Sequence, residues 1–145
     1  MSFCYEYPRP AVAADIILVA KNSNDIQILL IQRKNTPFQN MWAFPGGFME
    51  SDEPILRTAH RELLEETGIK VEKLDFLWYY DGVNRDPRGR TIGFAFYSIL
   101  DHIIEAKSGD DAANACWFNI DSLPPLAFDH EKIIYDLKQK ILTLH

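Results

Sequence analysis

Residues 47–69 read GFMESDEPILRTAHRELLEETGI, and this stretch decides the fold. Glu62, Glu65 and Glu66 stand at i, i+3 and i+4, a spacing that sets three carboxylates on one face of a helix. Leu56, Ala59 and Leu63 fall on a neighbouring stripe that can face a core. Pro54 suits the first helical position after the polar entry residues Ser51, Asp52 and Glu53. Gly68 suits a left-handed stop. The pattern predicts a helix over 54–67 with an acidic face.

That charge placement is locally costly. Like charges at i, i+4 destabilise a helix by roughly 0.2–0.5 kcal/mol per pair. Glu66 also sits near the C-terminal end of the helix dipole, which disfavours an anion. A cation offsets both effects, and converging carboxylates suit a hard ion such as Mg²⁺ or Mn²⁺. Gly46 and Gly47 allow a tight turn before the helix, so a main-chain carbonyl there can join such a site. Arg61 can hold Glu65 four residues on, or reach back to Glu53.

The fragment RELLEE alone reads equally well as a solvated face. The full spacing is more demanding: Gly47, five residues, Glu53, seven residues, then Arg61-Glu62-Leu63-Leu64-Glu65-Glu66-Thr67-Gly68-Ile69. It resembles the Nudix box at every defining position. The resemblance implies an α/β fold, a Nudix-type α/β/α sandwich with a mixed sheet between helices. It also implies cleavage, by water, of the pyrophosphate in a nucleoside diphosphate linked to another moiety. In that reading Gly46, Glu62, Glu65 and Glu66 hold Mg²⁺ or Mn²⁺, and Glu53 and Arg61 brace them. Glu65 is the first choice of general base, and Asp110 or Asp111, in a later polar loop, the second.

Arg33 ends an apolar segment near the glycine turn; it is a surface cation or, by the resemblance, a phosphate contact. Arg85, Arg88 and Arg90 crowd the turn-rich stretch DGVNRDPRGRT (81–91). They form a solvated hairpin loop or an anion clamp, since guanidinium binds phosphate bidentately. This stretch looks like that of ADP-ribose pyrophosphatases within the family. The expected reaction is then ADP-ribose to AMP and ribose 5-phosphate. The alternatives are a nucleoside triphosphate sanitiser and a sensor that binds an ADP-ribose-like ligand without turnover. The missing room for a DNA-binding domain before His145 argues against the sensor.

The rest of the chain supports one domain over 1–145, with 47% hydrophobic residues and a net charge of −6. An acidic chain without a basic tail is not expected to bind nucleic acid. No apolar run reaches the ~20 residues of a membrane span. The start MSFCYEYPRP lacks a signal-peptide pattern, so a cytoplasmic location is expected. Cys4 and Cys116 fit no metal spacing, and Cys116 is expected as a buried thiol. Tyr5 and Tyr7 read as aromatic anchors. Strands are expected over 11–20, 26–33, 42–48, 71–80, 92–100 and from 115, with a final helix over 129–144. The four histidines show no ligand spacing. A small nucleoside diphosphate derivative is the expected partner, and the resemblance leaves a homodimer open.

Overall fold

The computed structural model describes residues 2–109 and 112–143. Two long apolar runs form the centre: β1 (Ala11–Lys21) and β2 (Ile26–Arg33), joined by a short polar turn and paired antiparallel. β1 is flanked along its length by β6 (Thr91–Leu100), which runs parallel to it from Ala11↔Thr91 to Ala20↔Leu100. β5 (Asp75–Tyr80) pairs antiparallel with β6. β3 (Trp42–Ala43) and β7 (Ala112–Asn119) both pair with β2, and β4 (Gly46–Phe48) pairs with the first half of β1. The result is a mixed sheet of seven strands.

The two-residue period of β1 assigns its side chains to two cores. Ile16 and Leu18 face α1 (Ile55–Thr67), packing with Ala59, Leu63 and Phe96. Ile17 and Val19 face α2 (His130–Thr143), packing with Ile133, Leu137 and Ile141. Burying each such side chain contributes about 1.5–3 kcal/mol. A sheet covered by a helix on each face is the sandwich expected from the sequence.

α1 starts one residue later than expected, with extended Pro54 as its N-cap. It stops at Gly68, whose φ of 74° is left-handed and whose N–H bonds the Leu64 carbonyl at 2.8 Å. Ala59 and Leu63 are buried as expected, but Leu56 is exposed. Thr58 and Thr67 take inward positions instead, their hydroxyls satisfied by Glu53 and by the Leu63 carbonyl. Residues 71–80, which read as one or two strands, hold one, Asp75–Tyr80.

Two other expectations fail. The Cys116 thiol is exposed, because β7 is an outer strand and an apolar neighbourhood in sequence does not say which strand ends at the rim. Tyr5 and Tyr7 are exposed and anchor nothing in the core. Among the described residues, no helix is long and apolar enough to cross a membrane.

Candidate active site

α1 presents its carboxylates to the edge of β4, and glycines make that approach feasible. A β-carbon on Gly47 would lie 2.5 Å from Glu62 Oε1 and 2.6 Å from Oε2. The Gly46 N–H donates to Glu66 Oε1 at 3.3 Å. Burial, and then the neighbouring Glu62 charge, pushes the Glu66 carboxyl up to about 8. Burial likewise raises Glu62.

Arg61 fills the other side. Its Nη2 donates to Glu53 at 2.6 Å and to the Phe48 carbonyl at 3.0 Å. Its Nη1 reaches Glu62 at 2.8 Å and Glu65 at 3.2 Å. The Arg61 hydrogen bond holds the Glu53 carboxyl down at about 2. Glu53 is thereby fixed as an anion that braces Arg61 and Thr58 and takes no proton near neutrality. Glu65 is more exposed than Glu62, 56% against 14% of the side chain, and turns to Arg61. Among the described residues no three His, Cys, Asp or Glu side chains are already gathered as a metal cluster.

The Glu62–Glu66 pair nonetheless fits a divalent cation. Two oxygen-donor carboxylates are desolvated side by side, burial raises the proton affinity of both, the Glu62 charge adds to the rise at Glu66, and the backbone next to them admits only glycine. The end of α1 is closed by the chain that follows β6. Gly109 N–H bonds the Glu66 carbonyl and Lys107 N–H the Thr67 carbonyl, both at 2.9 Å, satisfying terminal carbonyls of the helix. Asp110 and Asp111 lie outside the described residues.

The carboxylates line one wall of a cleft of about 510 Å³. Arg33 and Arg88 line the same cleft. Arg88 is held by Asp86 through Nε at 3.0 Å and Nη2 at 2.8 Å. Arg33 is held through Nε by the Pro37 carbonyl at 2.7 Å. Arg85 reaches the cleft floor but is a buried ion-pair residue, bound through Nε and Nη2 to Asp129 at 2.9 and 2.8 Å and 3.8 Å from Asp15. Arg90 is outside the cleft lining and donates to the Asp81 and Gly82 carbonyls of its own loop. Of the four arginines, Arg33, Arg85 and Arg88 line the cleft, and Arg85 is the one buried in an ion pair.

Four residues at the site carried no signal in the sequence. Asp86 and Asp129 are the partners of Arg88 and Arg85; the second lies 44 residues away, so no local pattern could reveal it. Phe128 contributes its ring to the cleft wall. His130 is buried, and its Nδ1 accepts from the Phe44 N–H at 3.2 Å, which leaves the proton on Nε2, 3.6 Å from Asp15 Oδ1. Burial lowers the proton affinity of His130. Burial pushes the Asp15 carboxyl up against the pull of His130 and Arg85.

Paired, desolvated glutamates that share a cleft with arginines are chemistry for a phosphoric anhydride, and the class they define is a pyrophosphohydrolase. The NUDIX domain model matches residues 9–137, and the chain belongs to the Nudix family, whose hydrolases use divalent metal ions. It is 48% identical over 131 residues, covering 90% of this chain and 74% of the relative, to an ADP-ribose pyrophosphatase of Methanocaldococcus jannaschii. It is 32% identical to the ADPR responsive transcriptional repressor NtrR of Acinetobacter baylyi, over 89% of this chain and 53% of that protein. A bifunctional NMN adenylyltransferase/ADP ribose pyrophosphatase from Francisella tularensis, solved with AMP and a Mn ion, superposes with a TM-score of 0.82. It is 31% identical, covering 94% of this chain and 43% of that one.

Proposed function

We propose that the protein hydrolyses ADP-ribose to AMP and ribose 5-phosphate in a Mg²⁺- or Mn²⁺-dependent reaction. The observation that carries this reading is the half-buried Glu62–Glu66 pair lining one cleft together with the Arg33 and Arg88 guanidinium groups. The 48% identity to an ADP-ribose pyrophosphatase supports the choice of substrate.

Glu62, Glu65, Glu66 and the Gly46 carbonyl are the groups that would hold the cation. When bound, it neutralises phosphate oxygens and lowers the pKa of a water. Arg33 and Arg88 take the oxygens of the diphosphate, each through a guanidinium edge its protein partner does not use. Arg61, pinned by Glu53, keeps Glu62 and Glu65 in place, a supporting contact of the kind whose loss costs roughly 10–100-fold in activity. Glu65, the most exposed of the carboxylates that Arg61 holds, takes the proton as water adds to phosphorus and the bridging P–O bond breaks. The released phosphate carries the bridging oxygen.

Product analysis tests this. ADP-ribose and Mg²⁺ are expected to give AMP and ribose 5-phosphate, and Glu66→Gln to abolish turnover while the protein stays folded. Pyrophosphate and a nucleoside monophosphate released from a triphosphate panel would show a sanitiser instead. The likeness to the Acinetobacter repressor favours a second reading, ligand binding without turnover. Binding of ADP-ribose with no products in the presence of Mg²⁺ or Mn²⁺ would establish that reading and defeat the enzymatic one.

A further inference from the structure

Phe128 sits in the turn before α2 with φ of 53°, and Phe38 in the β2–β3 connection has φ of 60°. Both are bulky L-residues in a region of backbone space that such residues rarely adopt. Strain of this kind persists only where the surroundings over-determine it, and it clusters at functional sites. The two rings meet edge to face with centroids 4.8 Å apart. Neither ring belongs to the two core clusters, so packing the sheet does not account for them.

The Phe128 ring instead touches the two cleft arginines. Arg33 Cζ is 5.0 Å and Arg88 Cζ 5.4 Å from its centroid, within cation–π range. Arg88 is also 4.9 Å from the Phe48 ring. On the inner side Phe128 rests on His130 at 5.5 Å, and His130 stacks on Phe44 at 4.7 Å. The ring is thus backed by rigid, buried groups and presents its electron-rich face to two guanidinium groups. Those two charges repel each other. Burial, and then the Arg88 charge, lowers the proton affinity of Arg33.

We propose that Phe128 is a positioning residue: its ring, fixed by a left-handed turn, aligns Arg33 and Arg88 as a two-arginine clamp for the phosphate oxygens of the substrate. The clamp rests on reading this cleft as the diphosphate site. The ring offsets the repulsion between the cations without neutralising either. Asp86 fixes one edge of Arg88, and the Pro37 carbonyl one edge of Arg33. Each guanidinium has five donors, and these bonds take two from Arg88 side-chain nitrogens and one from Arg33, which leaves donors to converge on an anion.

The test compares Phe128→Leu, Phe128→Gly and Phe128→Tyr with Arg33→Ala and Arg88→Ala, using ADP-ribose with Mg²⁺. Leucine keeps bulk without a π face; glycine accepts the positive φ without strain but has no ring; tyrosine keeps the ring. Phe128→Leu and Phe128→Gly are expected to raise KM by about tenfold, with kcat changed far less. Phe128→Tyr is expected to restore KM to within about twofold. The glycine variant is the control for folding, since a purely structural role predicts that relieving the strain helps. Wild-type KM in the leucine or glycine variant, beside raised KM in Arg33→Ala and Arg88→Ala, overturns the role of Phe128 alone. Unchanged KM in both arginine variants overturns the diphosphate reading of this cleft, and the clamp with it.

Discussion

Replacing Gly47 by alanine puts a methyl carbon where the Glu62 carboxylate now lies. The nearest oxygens would be 2.5 and 2.6 Å from it, and an ordinary contact begins at 3.4 Å, so the carboxylate must withdraw by about 1 Å. The obstacle is the far end of a flexible side chain, which can swing aside. The cost to stability is therefore small, about 1 kcal/mol or less, equivalent to a fall in Tm of about 4 °C or less. The cost to activity is not small, because a displacement of 1 Å at a reacting group is worth about 10²-fold. Gly46 provides the contrast. There a β-carbon would collide with the Ala14 backbone carbonyl oxygen and lie 2.9 Å from Asp15 Oδ1. Backbone cannot swing aside, so the β4–β1 pairing at Asp15↔Gly46 must open. Gly46→Ala should lose about 1–3 kcal/mol or more, and Tm should fall by about 4–12 °C. Thermal melts and kcat/KM on both variants separate the effects. A Gly47→Ala enzyme with wild-type kcat/KM, or a Gly46→Ala protein that melts with the wild type, would refute the claim that these glycines exist to admit the carboxylate and the sheet contact respectively.

Two further outcomes follow from the charges. Glu66 has a folded value of about 8 against 4.5 for an ordinary glutamate, so in chelator-treated protein the folded state holds a proton that the unfolded state has lost across that window. Its contribution is fully present below about pH 4.5 and is lost as pH rises through about 8, by up to about 1.4 kcal/mol per pH unit. Denaturant titrations from pH 5 to 9 should show this decline, and Glu66→Gln should flatten it; a Glu66→Gln profile parallel to wild type counts against the assignment. Arg85→Met should destabilise by about 3–5 kcal/mol, because it leaves Asp129 and the buried Asp15 without their cation. Arg88→Ala, at a partly exposed residue, should change Tm little, and equal melting losses in the two variants would contradict the division of the arginines.

Legibility followed sequence distance. The α1 face, its glycine stop and the bounds of β2 are local facts, set by periodicity and turn chemistry, and they were readable. The glutamates and Arg61 lie within one helix, so their mutual reach was readable too. The parallel joining of β1 to β6 spans some 80 positions and leaves no trace in either strand's pattern. Nor does the pairing of Arg85 with Asp129 or of Phe44 with His130. Three arginines in six residues gave a charge cluster without saying where each guanidinium would turn. Their separation depends on Asp86, which sits between them in sequence but reads there as a turn residue. The exposed Cys116 makes the same point in reverse: its neighbours specify a strand, and only the sheet order decides which face meets water.

The division of the arginines also explains how a chain of net charge −6 can admit an anion. Arg85 spends its charge on Asp129 and Asp15, and Arg61 spends its own on Glu53, Glu62 and Glu65. Arg88 is paired too, with Asp86, but its side chain is 43% exposed against 6% for Arg85, so it keeps donors open to the cleft. What remains is a cleft lined by both signs of charge, so a diphosphate is drawn to Arg33 and Arg88 while the glutamates repel it. The repulsion ends only when Glu62 and Glu66 are neutralised, by protons or by a divalent cation. Protonation removes the oxygens that hold the cation, so at working pH substrate binding and cation binding at this cleft must favour one another, each relieving a repulsion that the other suffers.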